Sequence, residues 1–245
     1  MDPLLLSAAR ILTFDGQRAL TNASGFFFER DGQLFLVTSR HVVCDEPSEH
    51  FPDRIEIELH VNSSNMAESI GFSIPLYRDG ASVWRQGRDA AGDIDVAVLE
   101  IDRTALPARV AYRAFTPRHL VGSRQVEIGS SLLIVGFPLG FHDTLHHMPV
   151  VRHAIVASSF AFRFQGQGYF LTDARTHSGS SGAPVVMHAA AEDLELGDLP
   201  WILLGVHSAR LDIGGRNADS DEALGLNCAW YADILMTLTD PGDDR

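Results

Sequence analysis

At 245 residues, with 45% hydrophobic and 21% charged residues, the chain has a globular composition and enough length to bury a substantial core, as one large domain or two small ones. Nineteen basic against 32 acidic residues give a net charge of −13. A field of that sign repels polyanions, which argues against nucleic-acid and anionic-membrane partners.

The N-terminus, "MDPLLLSAARILTFDGQ", carries an early acidic residue and only a three-residue apolar run, unlike a secretory signal. No stretch approaches the roughly 18 apolar residues of a membrane span. Cys44 and Cys228 lie too far apart in sequence for a disulfide framework, so reduced thiols are expected. Together these features predict a soluble, cytoplasmic protein.

In "GFFFERDGQLFLVTSRHVV", two β-rich runs, residues 26–29 and 34–38, flank an Asp31-Gly32 turn signal and predict a hairpin. A short helix is expected after His41. "RIEIELHV" (54–61) alternates apolar and polar residues, as a half-buried strand does. "DIDVAVLEI" (93–101) reads as a mostly apolar strand preceded by a loop, "GRDAAGD". A linker is expected near 114–125. "SSLLIVGFPLG" (130–140) reads as a buried strand ending in a Gly-Pro turn, and "VRHAIVASS", "GYFLTDA" and "WILLGVHSARL" read as further strands. Residues 189–200 and 212–223, acidic or glycine-rich, read as surface insertions. "NCAWYADILMTLTD" (227–240) is the best helix candidate. Many short strands with turn signals predict an all-β sandwich or barrel architecture.

Three residues in this pattern can carry chemistry. His41 follows a β-rich run, where a ring can project into a cleft. Asp95 opens an apolar strand, where a carboxylate is costly unless paired, and an imidazole N–H is a natural partner. Asp93 is the rival on the same face. In "RTHSGSSGAPVV", Ser181 occupies the serine of a Gly-x-Ser-Gly-x-Pro pattern. Gly179 and Gly182 permit a tight turn, and the N–H groups of Gly179 and Ser181 can then face a developing oxyanion. Ser180 is the alternative nucleophile.

His, Asp and Ser in that order, in an all-β context, resemble the trypsin-like (chymotrypsin-fold) serine peptidases, particularly their bacterial HtrA-like and glutamyl-endopeptidase-like branches. "LVTSRHVV" is similar to the family's histidine block, "DIDVAVLEI" to its aspartate block, "SGSSGAPVV" to its nucleophile block, and "VGFPLG" to an HtrA-like turn. The resemblance spans roughly residues 23–234. It implies two six-stranded antiparallel β-barrels with a short C-terminal helix. Residues 1–118 would carry His41 and Asp95; residues 119–245 would carry Ser181 and the P1 pocket. His41 is then the general base, Asp95 the orienting acid and Ser181 the nucleophile, with no cofactor and no metal.

The resemblance also implies a pocket. Ser208 matches a serine that hydrogen-bonds the catalytic aspartate. Thr176 and His207 match positions that bind a P1 glutamate or glutamine side chain, and both can donate to its oxygen. Arg210 stands where many members carry glycine, and can narrow the pocket or meet an acidic group. Arg175, where trypsin-like specificity needs an acid, argues against cleavage after Lys or Arg. His142, His146 and His147 invite a metal reading, but "GFHDTLHHMP" reads as a loop. No PDZ-type peptide-binding domain is expected to follow, nor activation by a new N-terminus.

The expected function is therefore acyl-enzyme hydrolysis of protein or peptide substrates, with a preference for Glu/Asp or Gln at P1. The alternatives are a non-catalytic peptide-binding module, an esterase, or a latent protease switched on by a regulatory protein partner. A bacterial stress or defence role is an analogy only.

Overall fold

The computed structural model describes residues 2–120, 126–189, 197–208 and 225–242. In chain order the first half contains β1 (Ala8–Asp15), β2 (Arg18–Arg30), β3 (Gln33–Thr38), the single-turn helix α1 (Arg40–Val43), β4 (Arg54–His60), β5 (Ser69–Pro75), β6 (Tyr77–Arg78), β7 (Ala81–Ser82), β8 (Trp84–Asp89) and β9 (Gly92–Ile101). The second half contains β10 (Ser131–Gly136), β11 (Val150–Ile155), β12 (Tyr169–Thr172), β13 (Pro184–His188), β14 (Trp201–Ser208), β15 (Asn227–Tyr231) and a five-residue helix α2 (Ile234–Leu238).

The strands form two antiparallel sheets. The first runs β5-β4-β1-β2-β3-β9-β8, seven strands where six were expected, with β6 and β7 as a small separate hairpin. The second runs β11-β10-β13-β14-β15-β12. A bridge between Val156 and Thr172, with the Ala157 N–H donating to Leu171 O at 2.8 Å, joins its two ends and closes it.

Local sequence explains much of this. The β2–β3 hairpin turns at Asp31 and Gly32, whose φ values of 51° and 81° match the twist that short hairpins need. Alternation along β2 and β3 then serves two cores. Phe26, Phe28, Phe35 and Val37 point one way, into a cluster shared with Val135, Tyr169, Leu171, Val206 and Trp230 of the second sheet. Phe27, Leu34 and Leu36 point the other way, into a core belonging to the first sheet alone, with Ile11, Ile55, Ile57 and Leu99. The second sheet has its own core, including Ile134, Phe170, Val185, Ile202 and Leu204. The apolar "GFFF" stretch is thus core strand with a residue for each side.

Two readings need correction. "NCAWYADILMTLTD" is not one helix: its first five residues are β15, paired on both sides by β12 and β14, and only α2 is helical. Tertiary pairing overrides local propensity here. Leu235 and Leu238 of α2 enter the core between the sheets, and Arg30 Nη1 donates to Met236 O at 2.6 Å. "GRDAAGD" is not a loop throughout: Gly87 to Asp89 belong to β8, which pairs with β9 across a tight turn. The 114–125 stretch is irregular through Leu120, with a 3-10 turn at Pro117–His119; 121–125 lies outside the described residues. Residues 190–196 and 209–224 are also outside, and with them most of both expected insertions.

Phe28 is fully buried between the sheets, beside a junction where the Glu29 N–H donates to Phe115 O at 2.7 Å. Phe28→Ala is expected to cost about 3–5 kcal/mol, the range for deleting a buried phenyl ring. An unfolding free energy from urea titration lowered by less than one third of that would show the interface to be looser than its packing indicates.

Candidate active site

α1 starts where β3 ends and carries His41 into the groove between the sheets. Asp95 sits on β9, the neighbour of β3, so the pair is set by strand register. The Asp95 carboxylate accepts three hydrogen bonds. His41 Nδ1 donates to Oδ2 at 2.8 Å, the His41 backbone N–H to Oδ1 at 2.9 Å, and Ser208 Oγ, from β14 of the second sheet, to Oδ2 at 2.9 Å. The first fixes the ring's tautomer, leaving Nε2 as the acceptor. The rival Asp93 faces an exposed Arg88 instead, at 3.5 Å.

Ser181 lies on the turn before β13. It shares a cavity of about 420 Å³ with His41, Gly179, Ser178 and Asn22. Ser180 does not line that cavity; it is buried, with its N–H donating to His177 O. Among the described residues no hydrogen bond joins Ser181 Oγ to His41. In unliganded sites such bonds are often long and tighten when substrate binds.

The turn has a defined polarity. The Ser178 carbonyl accepts from the Leu139 N–H at 2.6 Å, outside the cavity. In a planar trans peptide the C=O and N–H point in opposite directions. The Gly179 N–H therefore faces inward. Among the described residues neither it nor the Ser181 N–H meets an acceptor. Gly179 has φ +93°, and a Cβ there would stand 2.7 Å from Phe137 O as well as against Asn22 Oδ1. Gly182 has φ +86°, and a Cβ would meet Ser24 O and stand 2.9 Å from Thr38 Cα. Only glycine fits either position.

Ser24 of β2, fully buried and unremarked in the sequence, holds this turn against the first sheet. Its N–H donates to Ser181 O at 2.9 Å and its hydroxyl to Gly179 O at 2.8 Å. The hydroxyl also accepts from the Phe137 N–H at 2.9 Å, and its carbonyl accepts from Thr38 Oγ1 at 2.8 Å.

The expected pocket residues meet one another. Asn227 Nδ2 donates to Ala174 O, which fixes the amide's orientation. Its Oδ1 then faces Thr176, whose hydroxyl donates to it at 2.8 Å. Thr176 must therefore accept from His207 Nε2, 3.0 Å away. The donors expected to reach substrate directly are engaged with each other, through Asn227, a residue the sequence reading missed. His207 is completely buried, its Nδ1 has no partner among the described residues, and desolvation together with the nearby His41 pushes its pKa down to about 3. It is neutral at any physiological pH. Arg175 is exposed, and Arg210 lies outside the described residues.

The other histidines take separate roles. His142 Nδ1 donates to Gly140 O at 2.6 Å and its Nε2 receives Arg10 Nη1 at 3.0 Å. His146 pairs with Asp143 at 2.7 Å, and His147 stacks on His142. Among the described residues no three His, Cys, Asp or Glu side chains are grouped to hold a metal ion, and no helix is long and apolar enough to cross a membrane. Cys44 and Cys228 are not joined in a disulfide.

Two antiparallel sheets with a histidine–aspartate pair facing a serine turn define a peptidase-like class. Residues 23–191 match the trypsin-like peptidase domain family, and the chain belongs to it. The fold is that of a serine endoprotease from Yersinia pestis, with a TM-score of 0.54 and 16% sequence identity. The similarity covers 96% of this chain and 62% of that one, so the chain spans under two thirds of that protein's length. No curated protein sequence matches it. The mostly-β, chymotrypsin-like fold expected from the sequence is the observed one.

Two outcomes follow from this geometry. Ser24→Ala leaves the Gly179 carbonyl and the Phe137 N–H buried without their shared partner, an expected loss of about 1–3 kcal/mol. Urea titrations of the variant should show that loss; an unchanged unfolding free energy would show that the turn holds itself. The second concerns pH. His207 has a folded pKa below its unfolded value of about 6.5, so the unfolded chain takes up the proton first. Stability from this group is complete above about pH 6.5 and falls by up to roughly 1.4 kcal/mol per pH unit down to about pH 3. Denaturant titrations from pH 7 to 5 should show that slope, shallower in His207→Leu.

Proposed function

We propose that this trypsin-like peptidase domain is an active serine endopeptidase that works without a cofactor, in the cytoplasm, on protein or peptide substrates. In this reading it is one peptidase unit divided near residue 118, and His41, Asp95 and Ser181 act as base, orienting acid and nucleophile. The observation that supports it best is the serine turn, whose Gly179 N–H faces the cavity and, like the Ser181 N–H, meets no acceptor among the described residues, beside a histidine already oriented by a carboxylate. A binding module has no use for either.

His41 Nε2 removes the Ser181 proton as Oγ attacks the scissile carbonyl. The oxygen that becomes negative enters the space before the Gly179 and Ser181 N–H groups, which stabilise it more than the ground-state carbonyl. His41 then gives the proton to the leaving amine, and the Asp95 carboxylate stabilises the transient imidazolium. Water repeats the sequence on the acyl-enzyme. Because the Ser178 carbonyl is already held outward by Leu139, this reading needs no activating partner to form the hole.

The P1 side chain binds against the Thr176–His207–Asn227 relay. The relay's donors are engaged with one another and with Ala174 O, so a side chain ending in oxygen binds by exchanging for one of those bonds, which an apolar one cannot do. With His207 neutral, the relay carries no formal charge, which favours a carboxamide over a carboxylate.

Fluorophosphonate treatment of wild type, Ser181→Ala and Ser180→Ala tests the nucleophile. Label should fall on Ser181 and vanish only in Ser181→Ala; no label in any of them would point to a binding module. A peptide library should show cleavage after Gln, then Glu. Cleavage mainly after Ala, Val or Leu would overturn the P1 assignment.

A further inference from the structure

The inward direction of the Gly179 N–H depends on a single hydrogen bond. Among the described residues the Ser178–Gly179 peptide is held by the Leu139 N–H, which donates to Ser178 O at 2.6 Å, and by no other bond. Half a turn of that peptide would bring the carbonyl into the cavity and take the N–H out of it. The glycine at 179 offers little steric resistance to such a turn. What holds Leu139 in place therefore decides which group faces substrate.

Its own side chain does not. Leu139 has φ +54°, in the left-handed region that residues with a Cβ seldom adopt, and it is 68% exposed, so packing does not enforce that conformation. The backbone around it is pinned instead. The Gly140 N–H donates to Phe137 O at 2.9 Å and the Phe141 N–H to Pro138 O at 2.8 Å. The Gly140 carbonyl accepts from His142 Nδ1 at 2.6 Å. The His142 ring is half-buried, edge-on to the buried Phe137 and stacked on His147. Arg10 Nη1, from β1, lies 3.0 Å from its Nε2. A guanidinium only donates, so Nε2 is the acceptor and the ring proton sits on Nδ1, facing Gly140 O. Arg10 is also the ladder partner of Ser24, the residue that binds the Gly179 and Ser181 carbonyls. One residue pair of β1 and β2 thus reaches the serine turn by two routes, directly from Ser24 and through His142 and Leu139 from Arg10.

We propose that Arg10 and His142 are positioning residues for the oxyanion hole. Arg10 fixes the His142 tautomer, and His142 holds the Gly140 carbonyl. The Leu139–Gly140 turn so held keeps the Ser178 carbonyl out of the cavity and the Gly179 N–H in it. The role is exerted through the backbone, on the charge that develops as the scissile carbonyl is attacked. Binding of the uncharged ground state does not draw on it.

The inference rests on the peptidase reading, and one set of measurements separates the two. Steady-state turnover of a p-nitrophenyl ester of a blocked amino acid is compared in wild type, His142→Phe, His142→Asn, Arg10→Met and Arg10→Lys. Phenylalanine keeps a ring against Phe137 and His147 but has no donor for Gly140 O. Asparagine keeps a donor at the same distance from the backbone. In His142→Phe, kcat should fall by at least about tenfold with KM within about twofold, and His142→Asn should recover to within about threefold of wild type. Arg10→Met should lower kcat by at least about threefold, and Arg10→Lys, which still donates to Nε2, should lower it less.

A second substitution tests the route. Asparagine accepts the left-handed conformation more readily than leucine, so adding Leu139→Asn to His142→Phe should raise kcat by at least about threefold. A purely structural role for His142 would not respond to that change. A thermal melt shows that each variant is folded; if His142→Phe is not, the Arg10 pair carries the test. A kcat within twofold of wild type in both His142→Phe and Arg10→Met would overturn the inference with the peptidase reading intact. So would a loss that neither His142→Asn nor Leu139→Asn relieves, or a rise in KM with kcat unchanged. No ester turnover by wild type together with no fluorophosphonate label would overturn both.

Discussion

One buried serine joins everything this molecule brings together. Ser24 belongs to the first sheet, yet its N–H, its hydroxyl oxygen and its hydroxyl proton all meet groups of the second: the carbonyls of Ser181 and Gly179, and the N–H of Phe137. Buried backbone polar groups must be paired, and here the partner for three of them is a single residue. The apolar core between the sheets brings the halves into contact, but apolar contact is not directional. The Ser24 bonds supply the direction. They set the height of the serine turn against β2, and through Thr38 they tie it to the strand that leads into His41.

The same logic explains the glycines around that turn. Gly182 is pressed against Ser24 O and Thr38, and Gly179 against Phe137 O and Asn22. Close backbone approach leaves no volume for a Cβ. The two residues with φ near +90° lie on either side of the turn's serines, where the backbone must reverse within a few bonds while keeping the Gly179 N–H pointed inward. The relay behind the turn follows the same rule of polar pairing. A carbonyl at Ala174 orients Asn227, which orients Thr176, which assigns the proton of His207.

Local pattern carried the hairpin at Asp31-Gly32 and the alternating strand β4. Each of these depends on residues close in sequence, and period-two burial leaves a visible trace. β8 left none, because "WRQGRD" is an edge strand with exposed charge and an internal glycine. β15 was hidden for the opposite reason. Its apolar run suits a helix as well as a strand, and what decides is pairing with β12 and β14, whose residues lie far away in sequence. Ser24 and Asn227 were illegible altogether. A serine in "NASGFF" is ordinary until its partners, 113 and 155 residues further on, are in place. Thr176 and His207 were singled out in the sequence, but their shared commitment to Asn227 was not legible there.

The C-terminal helix has a consequence for how the protein comes into being. α2 belongs to the second half but packs Leu235 and Leu238 among residues of both sheets, and Arg30 of the first sheet caps its carbonyl at Met236. A chain still emerging from the ribosome can complete β1 to β9, with His41 and Asp95 already paired, long before the serine turn exists. It then gains Ser181 before β15 and α2 have left the exit tunnel. Until those last segments dock, the second sheet lacks the strand between β14 and β12, and the core between the halves lacks Trp230, Leu235 and Leu238. Synthesis therefore delivers His41, Asp95 and Ser181 before the segments that complete the core between the two sheets.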